Sequence, residues 1–162
     1  MEAKQLVYEY LDKQGIPYEV MEHKPVFTME EMEEYGICEK GEVPKNLFLR
    51  DQNGKRHFLV VLQKDKKADL KALREKIGCT RLSFGSAERL QKYLGLTKGA
   101  VSPLGILNDE EQDVCVVIDK DLVGKERLGV HPNDNTATVW LSYHDLERII
   151  KARGNDVLVI KI

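Results

Sequence analysis

No two cysteines form a CxxC pair in this chain of 162 residues; Cys38, Cys79 and Cys115 are odd in number and far apart. That spacing offers neither a disulfide framework nor a zinc-binding pair, so the three read as reduced thiols. The four histidines, His23, His57, His131 and His144, show no metal-ligand spacing, and a metal is not expected. No stretch approaches the ~20 apolar residues that cross a bilayer, so no membrane association is expected. The N-terminal MEAKQLVYEYLDKQG sets acids into a helical period instead of a basic region followed by an apolar block. It is no secretory signal, and a cytoplasmic protein is expected. Also missing are a GxSxG nucleophile elbow, a Walker A loop and a dinucleotide fingerprint. Without repeats or low-complexity linkers, residues 1–162 are expected to form a single domain.

What is present is a segregated charge. The net charge is only −2, yet residues 1–44 hold 4 basic and 11 acidic side chains, residues 45–98 hold 14 and 5, and residues 99–162 hold 7 and 11. A basic middle between acidic ends suits a protein that docks a polyanion on one face. Solvated helix faces would account for the same cations, and charge alone does not separate the two readings.

Apolar spacing outlines the elements. Leu6, Val7, Tyr10 and Leu11 recur at helical intervals and stop at Gly15, and PYEVME follows as a short strand. TMEEMEEYG offers Thr28 as N-cap, acids in the first turn and Gly36 as stop. In VPKNLFLRDQNGKRHFLVVL the Asn-Gly pair predicts a tight antiparallel hairpin of Lys45–Arg50 with Arg56–Leu62. DLKALREKIG and SAERLQKYLG are helices ending at glycine. DVCVVID, TATVWLS and DVLVIKI are strands, with YHDLERIIKARG a helix between the last two. Hairpins mixed with helices predict an α+β fold, a mixed and mostly antiparallel sheet with surrounding helices.

Three stretches could carry chemistry. Lys45 and Asn46 open a strand whose Leu-Phe-Leu run is apolar on both faces, and a lysine at such a mouth must snorkel or meet an anion. In LTKGAVSPLGILND, Gly99 permits close backbone approach, Pro103 fixes a turn, and free N–H groups could hold an anionic or ester oxygen. A plain connector has the same composition. In GVHPNDNTATVWLS, His131 stands in a polar turn, where histidines more often hold a turn together than catalyse.

HKPVFTMEE, PKNLFLRD, RLSFGSAERL, GAVSPLGILND and VHPNDNTATVWLS, in this order and over essentially the whole chain, resemble the YbaK/ProX aminoacyl-tRNA deacylase family, most of all its free-standing prolyl-tRNA editing branch. The resemblance implies an enzyme that hydrolyses the ester joining a wrong amino acid, alanine above all, to tRNA(Pro), with no cofactor and no metal. It puts Lys45 on the family's functional lysine, Asn46 beside it, Gly99 and Pro103 on a GxxxP loop, and His131 on a late-motif histidine. Lys45, Gly99 and His131 are therefore the catalytic candidates. Asn46, Val26, Phe27, Thr28, Met29, Ser102 and Pro103 are the substrate-binding candidates, and Arg50 and Arg81 the candidates for tRNA phosphate. The expected partner is the acceptor end of tRNA(Pro) carrying a small amino acid, with prolyl-tRNA synthetase as a second. Alternatives are a deacylase of Cys-tRNA(Pro), a non-catalytic module that binds aminoacyl-tRNA, and an α+β domain binding a small anion.

Overall fold

A computed structural model describes residues 2–162. In chain order the elements are α1 (Ala3–Lys13), β1 (Glu19–Glu22), α2 (Met29–Glu34), β2 (Lys45–Arg50), β3 (His57–Leu62), α3 (Leu70–Ile77), β4 (Ser83–Phe84), α4 (Ala87–Leu94), β5 (Val114–Asp119), β6 (Leu128–Val130), β7 (Ala137–Leu141), α5 (Tyr143–Arg153) and β8 (Val157–Ile160). Short 3-10 turns at Lys98–Ala100 and Pro103–Asn108 lead from α4 toward β5.

The fold is α+β with mixed sheets, as the sequence leads one to expect, but the strands divide between two sheets. One has the order β4-β2-β3-β5-β8, antiparallel among β4, β2 and β3 and parallel across β3, β5 and β8. The other is antiparallel, order β1-β7-β6. β3 lies in the middle of the larger sheet with all six residues buried, because its two faces feed two cores. Leu59 and Val61 join Leu90, Leu94, Leu146 and Ile149 on one side. Phe58, Val60 and Leu62 join Leu49 and Leu73 on the α3 side. A strand covered on both faces has to be apolar at every position, as HFLVVL nearly is. A third cluster, Val26, Met32, Ile37, Val43 and Trp140, closes the gap between the sheets.

Four helix starts follow from side-chain caps, among them α5, where Ser142 accepts from the Asp145 N–H. Thr28 accepts from the Glu31 N–H, Asp69 from those of Lys71 and Ala72, and Ser86 from that of Arg89. Such caps contribute about 1 kcal/mol each. The hairpin is wider than Asn-Gly alone predicts: pairing stops at Arg50↔His57 and leaves Arg56 outside the strand. The reason is Asp51, whose carboxylate accepts from the Lys55 and Arg56 N–H groups at 2.9 and 3.1 Å and so stabilises the larger loop. Gly54, at φ +67°, completes the turn.

His57 joins this hairpin to α4. Its ring lies between Phe48 and Tyr93, and Nε2 is 3.0 Å from Nη1 of Arg89. A guanidinium can only donate, so Nε2 accepts and the imidazole is neutral. Burial and the Arg89 charge push its pKa below the ordinary histidine value, with Asp51 opposing. Between the two values the unfolded chain binds a proton that the native chain does not, so stability is lost as pH falls from about 6.5 toward the native pKa. The urea midpoint should be higher at pH 7.5 than at pH 5.5, and His57→Gln, which can still accept from Arg89, should narrow that difference. An unchanged difference would exclude His57 as the source.

Candidate functional site

Where the two sheets meet, four segments enclose a pocket of about 260 Å³. The segment before and into α2 supplies Val26, Phe27, Thr28, Met29 and Met32, and the start of β2 supplies Val43, Pro44, Lys45, Asn46 and Leu47. The turn after α4 brings Lys98, Gly99 and Val101, and the end of β6 brings Gly129, Val130 and His131. The wall is thus mostly apolar, with polar groups at a few fixed points, the usual composition of a small-molecule site.

Strand alternation sends Lys45 and Asn46 to opposite faces of β2. Lys45 leaves on the α3 side, and its ammonium donates to the Lys66 carbonyl. That carbonyl is held in place from below. The carboxylate of Asp119, fully buried at the end of β5, accepts from the Gln63 N–H (3.1 Å), the Lys66 ammonium (2.9 Å) and the Asp121 N–H (3.1 Å). Asn46 turns to the other face, and its Oδ1 is buried with no hydrogen-bond partner among the described residues. A buried orphan acceptor is costly, which makes it the natural place for a donor arriving from outside.

His131 is the one member of its polar turn that lines the pocket. Its Nδ1 lies 3.0 Å from the Ala137 carbonyl, so Nδ1 carries the proton and Nε2 the lone pair. Burial lowers its pKa, with the Ala137 hydrogen bond acting the other way, so the ring is neutral at pH 7. The residues after it act as struts. Asn133 donates to the Leu104 carbonyl (3.2 Å), and Asn135 donates to the Val26 carbonyl (2.9 Å) while the Val26 N–H returns a bond to the Asn135 carbonyl. Asp134 accepts from the Thr136 N–H and hydroxyl. These bonds fix the segments carrying Phe27 and Gly99 against the one carrying His131.

Phe27 is 70% exposed, yet its backbone is fixed by the Glu31 carboxylate, which accepts its N–H at 3.0 Å. Its ring lies over Gly99, where an added Cβ would stand 2.7 Å from Phe27 Cδ1 and 3.1 Å from Asn135 Nδ2. A side chain at position 99 would have to displace the Phe27 ring and the Asn135 amide at the rim. Gly129 is restricted in the same way by the Trp140 ring, 2.6 Å from such a Cβ.

Lys45, Asn46, Gly99, His131 and the Val26–Met29 run thus converge from four parts of the chain. Ser102 and Pro103 do not join them. Ser102 is fully buried, its hydroxyl donating to the His131 carbonyl at 2.6 Å and accepting from the Leu104 N–H at 3.1 Å, and Pro103 is packed as the first residue of the following 3-10 turn. With both capacities of the hydroxyl used internally, Ser102 positions His131 and does not face a ligand. Arg50 and Arg81 also lie away from the pocket. Arg50 is at the other end of β2, its guanidinium donating to the Asp51 and Gln52 carbonyls, and Arg81 is exposed beside β4. Met32, Val43, Lys98, Val101, Gly129 and Val130 line the pocket without standing out in the sequence. Val43 and Lys98 adjoin the motifs of Lys45 and Gly99, and that adjacency is the available signal; the rest are ordinary core residues until the sheets are assembled.

Ser102→Ala should lower unfolding free energy by about 1–3 kcal/mol, the usual cost of an abandoned buried partner, measured by urea denaturation. A loss well under that range would show that water replaces the hydroxyl.

The aminoacyl-tRNA editing domain model matches residues 23–149. The prolyl-tRNA editing protein ProX of Acetoanaerobium sticklandii is 58% identical over 162 residues, covering all of this chain and 99% of its own. Prolyl-tRNA synthetase associated domain-containing protein 1 of Mus musculus is 34% identical over 150 residues, 90% of this chain and 88% of its own. Among solved structures, a proposed trans-editing enzyme for prolyl tRNA synthetase superposes with a TM-score of 0.74 at 20% identity, covering 100% of this chain and 98% of that one, a likeness of fold. With the matched segment running from His23 through most of α5 and so containing every wall of the pocket, the chain belongs to the aminoacyl-tRNA editing domain family.

Proposed function

We propose that this protein hydrolyses the ester of mischarged tRNA(Pro), with alanine the preferred acyl group, acting apart from the synthetase that makes the error. The observation that carries the reading is the convergence of Lys45, Asn46, Gly99 and His131 on one small, apolar-walled pocket. The relatives' names point to the same tRNA and to prolyl-tRNA synthetase as a working partner.

Size supports an aminoacyl ligand. At about 260 Å³ the pocket is smaller than the ~300–1,000 Å³ typical of drug-sized ligands, room for an acyl group and part of its ribose. Val26, Met29, Met32, Val43 and Val101 would receive the side chain. A synthetase site shaped for proline rejects a smaller apolar side chain by only ~1–3 kcal/mol per methylene, so a second pocket of this kind restores accuracy.

The roles follow from chemistry. The substrate α-ammonium is the donor that the orphan Oδ1 of Asn46 lacks. Lys45, released from the Lys66 carbonyl, meets the terminal phosphate or the carbonyl oxygen as it becomes negative. In the turn after α4, which Thr97 leaves without a side-chain cap and in which the Ala100 N–H is taken by the Thr97 carbonyl, the N–H groups of Lys98 and Gly99 are the donors offered to the same oxygen. His131, neutral and with Nε2 as acceptor, orients the attacking water or the neighbouring ribose hydroxyl. The water oxygen bonds to the acyl carbon, its proton passes by way of Nε2 to the departing 3′ oxygen, and the acyl–oxygen bond breaks, releasing the amino acid and the tRNA 3′ hydroxyl.

Purified protein should deacylate Ala-tRNA(Pro) and leave Pro-tRNA(Pro) intact, and Lys45→Ala should reduce kcat about 10²–10³-fold, as loss of an oxyanion donor does. Faster release of cysteine than of alanine would transfer the assignment to cysteine editing. Binding of charged tRNA without hydrolysis would replace the enzyme with a binding module. Because His131 is held neutral, its protonation should reduce kcat only at pH values below the ordinary histidine value of about 6.5. A rate falling already between pH 8 and 7 would exclude His131 as the titrating group.

A further inference from the structure

Of the 14 basic side chains between residues 45 and 98, only Lys64 and Lys66 have a carboxylate within ion-pair distance among the described residues. Several of the remaining cations have other partners. Arg50 is engaged by carbonyls of the hairpin, and Arg89 by His57 and the Gly54 carbonyl. Lys67, Lys71, Arg74 and Arg81 are exposed and form no ion pair among the described residues.

Their placement is ordered. Lys45 shares a β2 face with Leu47 and Leu49, the face that α3 covers through Leu70, Leu73 and Ile77. The Lys66 carbonyl that Lys45 touches comes just before Lys67 and α3. From there α3 runs back along the sheet toward the hairpin, where the Thr80 hydroxyl accepts the Gln52 N–H at 3.1 Å. The cations therefore extend from the pocket rim to the hairpin, with the eight residues of α3 spanning ~12 Å of the path. Of the acids nearby, Asp69 is occupied in capping α3, while Asp65 and Glu75 are exposed.

We propose that this face of α3, from Lys67 through Lys71 and Arg74 to Arg81, is where the acceptor stem of the tRNA lies while its 3′ end enters the pocket. The inference rests on the proposed function for its substrate, and it adds which side of the molecule the RNA occupies. A duplex reaching Lys45 from the α3 side places its phosphates on unpaired cations. The acidic segments at both ends of the chain provide no comparable row. The contacts are to the backbone, so they position the RNA and do not read its sequence.

The test is a triple variant, Lys67→Glu with Lys71→Glu and Arg74→Glu, in the full chain. Its affinity for an uncharged acceptor-stem minihelix is measured by fluorescence anisotropy from 50 to 200 mM salt, alongside hydrolysis of an alanyl-adenosine ester too small to reach α3. The expected result is at least a tenfold loss of minihelix affinity at low salt, a salt slope shallower by about 0.9 for each phosphate no longer neutralised, and an ester rate within about twofold of the parent. Lys13→Glu with Lys125→Glu, on other faces, should leave all three unchanged. Unchanged affinity and slope in the triple variant would overturn the proposal, as would an ester rate falling in parallel, or no binding by the parent at low salt. If the parent hydrolyses neither charged tRNA nor ester, the proposed function fails, and the anisotropy still decides the surface.

Discussion

The register of β2 on β3 sets the site. Because Lys45 pairs with Leu62 and Asn46 with Val61, the strand enters the sheet with a cation on one face and an amide on the other. A slip of one residue would exchange them, placing the amide toward α3 and the ammonium against the apolar wall. That slip is opposed along the whole strand. Leu49 is fully buried on the α3 side and Phe48 nearly so on the other, and each would have to enter the opposite core. Burial of the hairpin thus fixes the orientation of two polar residues that contribute little to the core themselves.

A second constraint acts across the sheets. Glu42, just before β2, bridges to Leu128 of β6 through backbone bonds to Arg127 and Gly129, and the surrounding loops carry further polar backbone that must be satisfied once buried. Ser102, Asn133 and Asn135 provide the bonds, and each joins two chain segments far apart in sequence. These three side chains hold loops together and lie outside the pocket lining, whereas Asn46 and His131 line the pocket. Close backbone approach at Gly99 and Gly129 then lets the Phe27 ring pack at the rim and the Trp140 ring pack against β6.

Electrostatics divide the molecule further. Ion pairs such as Lys4–Glu22 and Arg127–Glu19 neutralise cations outside the basic middle segment. Within that segment most cations are left without acids, an arrangement that self-repulsion penalises and a polyanion relieves. Lys64 and Lys66 are the exceptions: Glu33 pairs with the first, and two carboxylates hold the second, whose carbonyl in turn receives Lys45.

The sequence by itself determined most of the elements and which motifs meet at the pocket. Alternation and helical spacing predicted α1, β1, α2, the β2–β3 pair, α3, α4, β5, β7, α5 and β8, since local burial patterns and caps specify them. The motifs around Lys45, Gly99 and His131 predicted residues that meet in space. Two-residue β4 and three-residue β6 left no periodicity to read, and the division into two sheets depends on pairings between strands as distant as β1 and β7. Whether a polar residue is a strut or a ligand group was equally invisible. Ser102 and Pro103 share a loop with Gly99, but only assembly shows the serine hydroxyl consumed by His131 and Leu104. Arg50 looks as free as Lys71 in the sequence, until the hairpin folds its guanidinium onto its own carbonyls. Hydrogen-bond capacity is spent or left over only in three dimensions, so the tertiary structure decided which of these side chains remain available for chemistry.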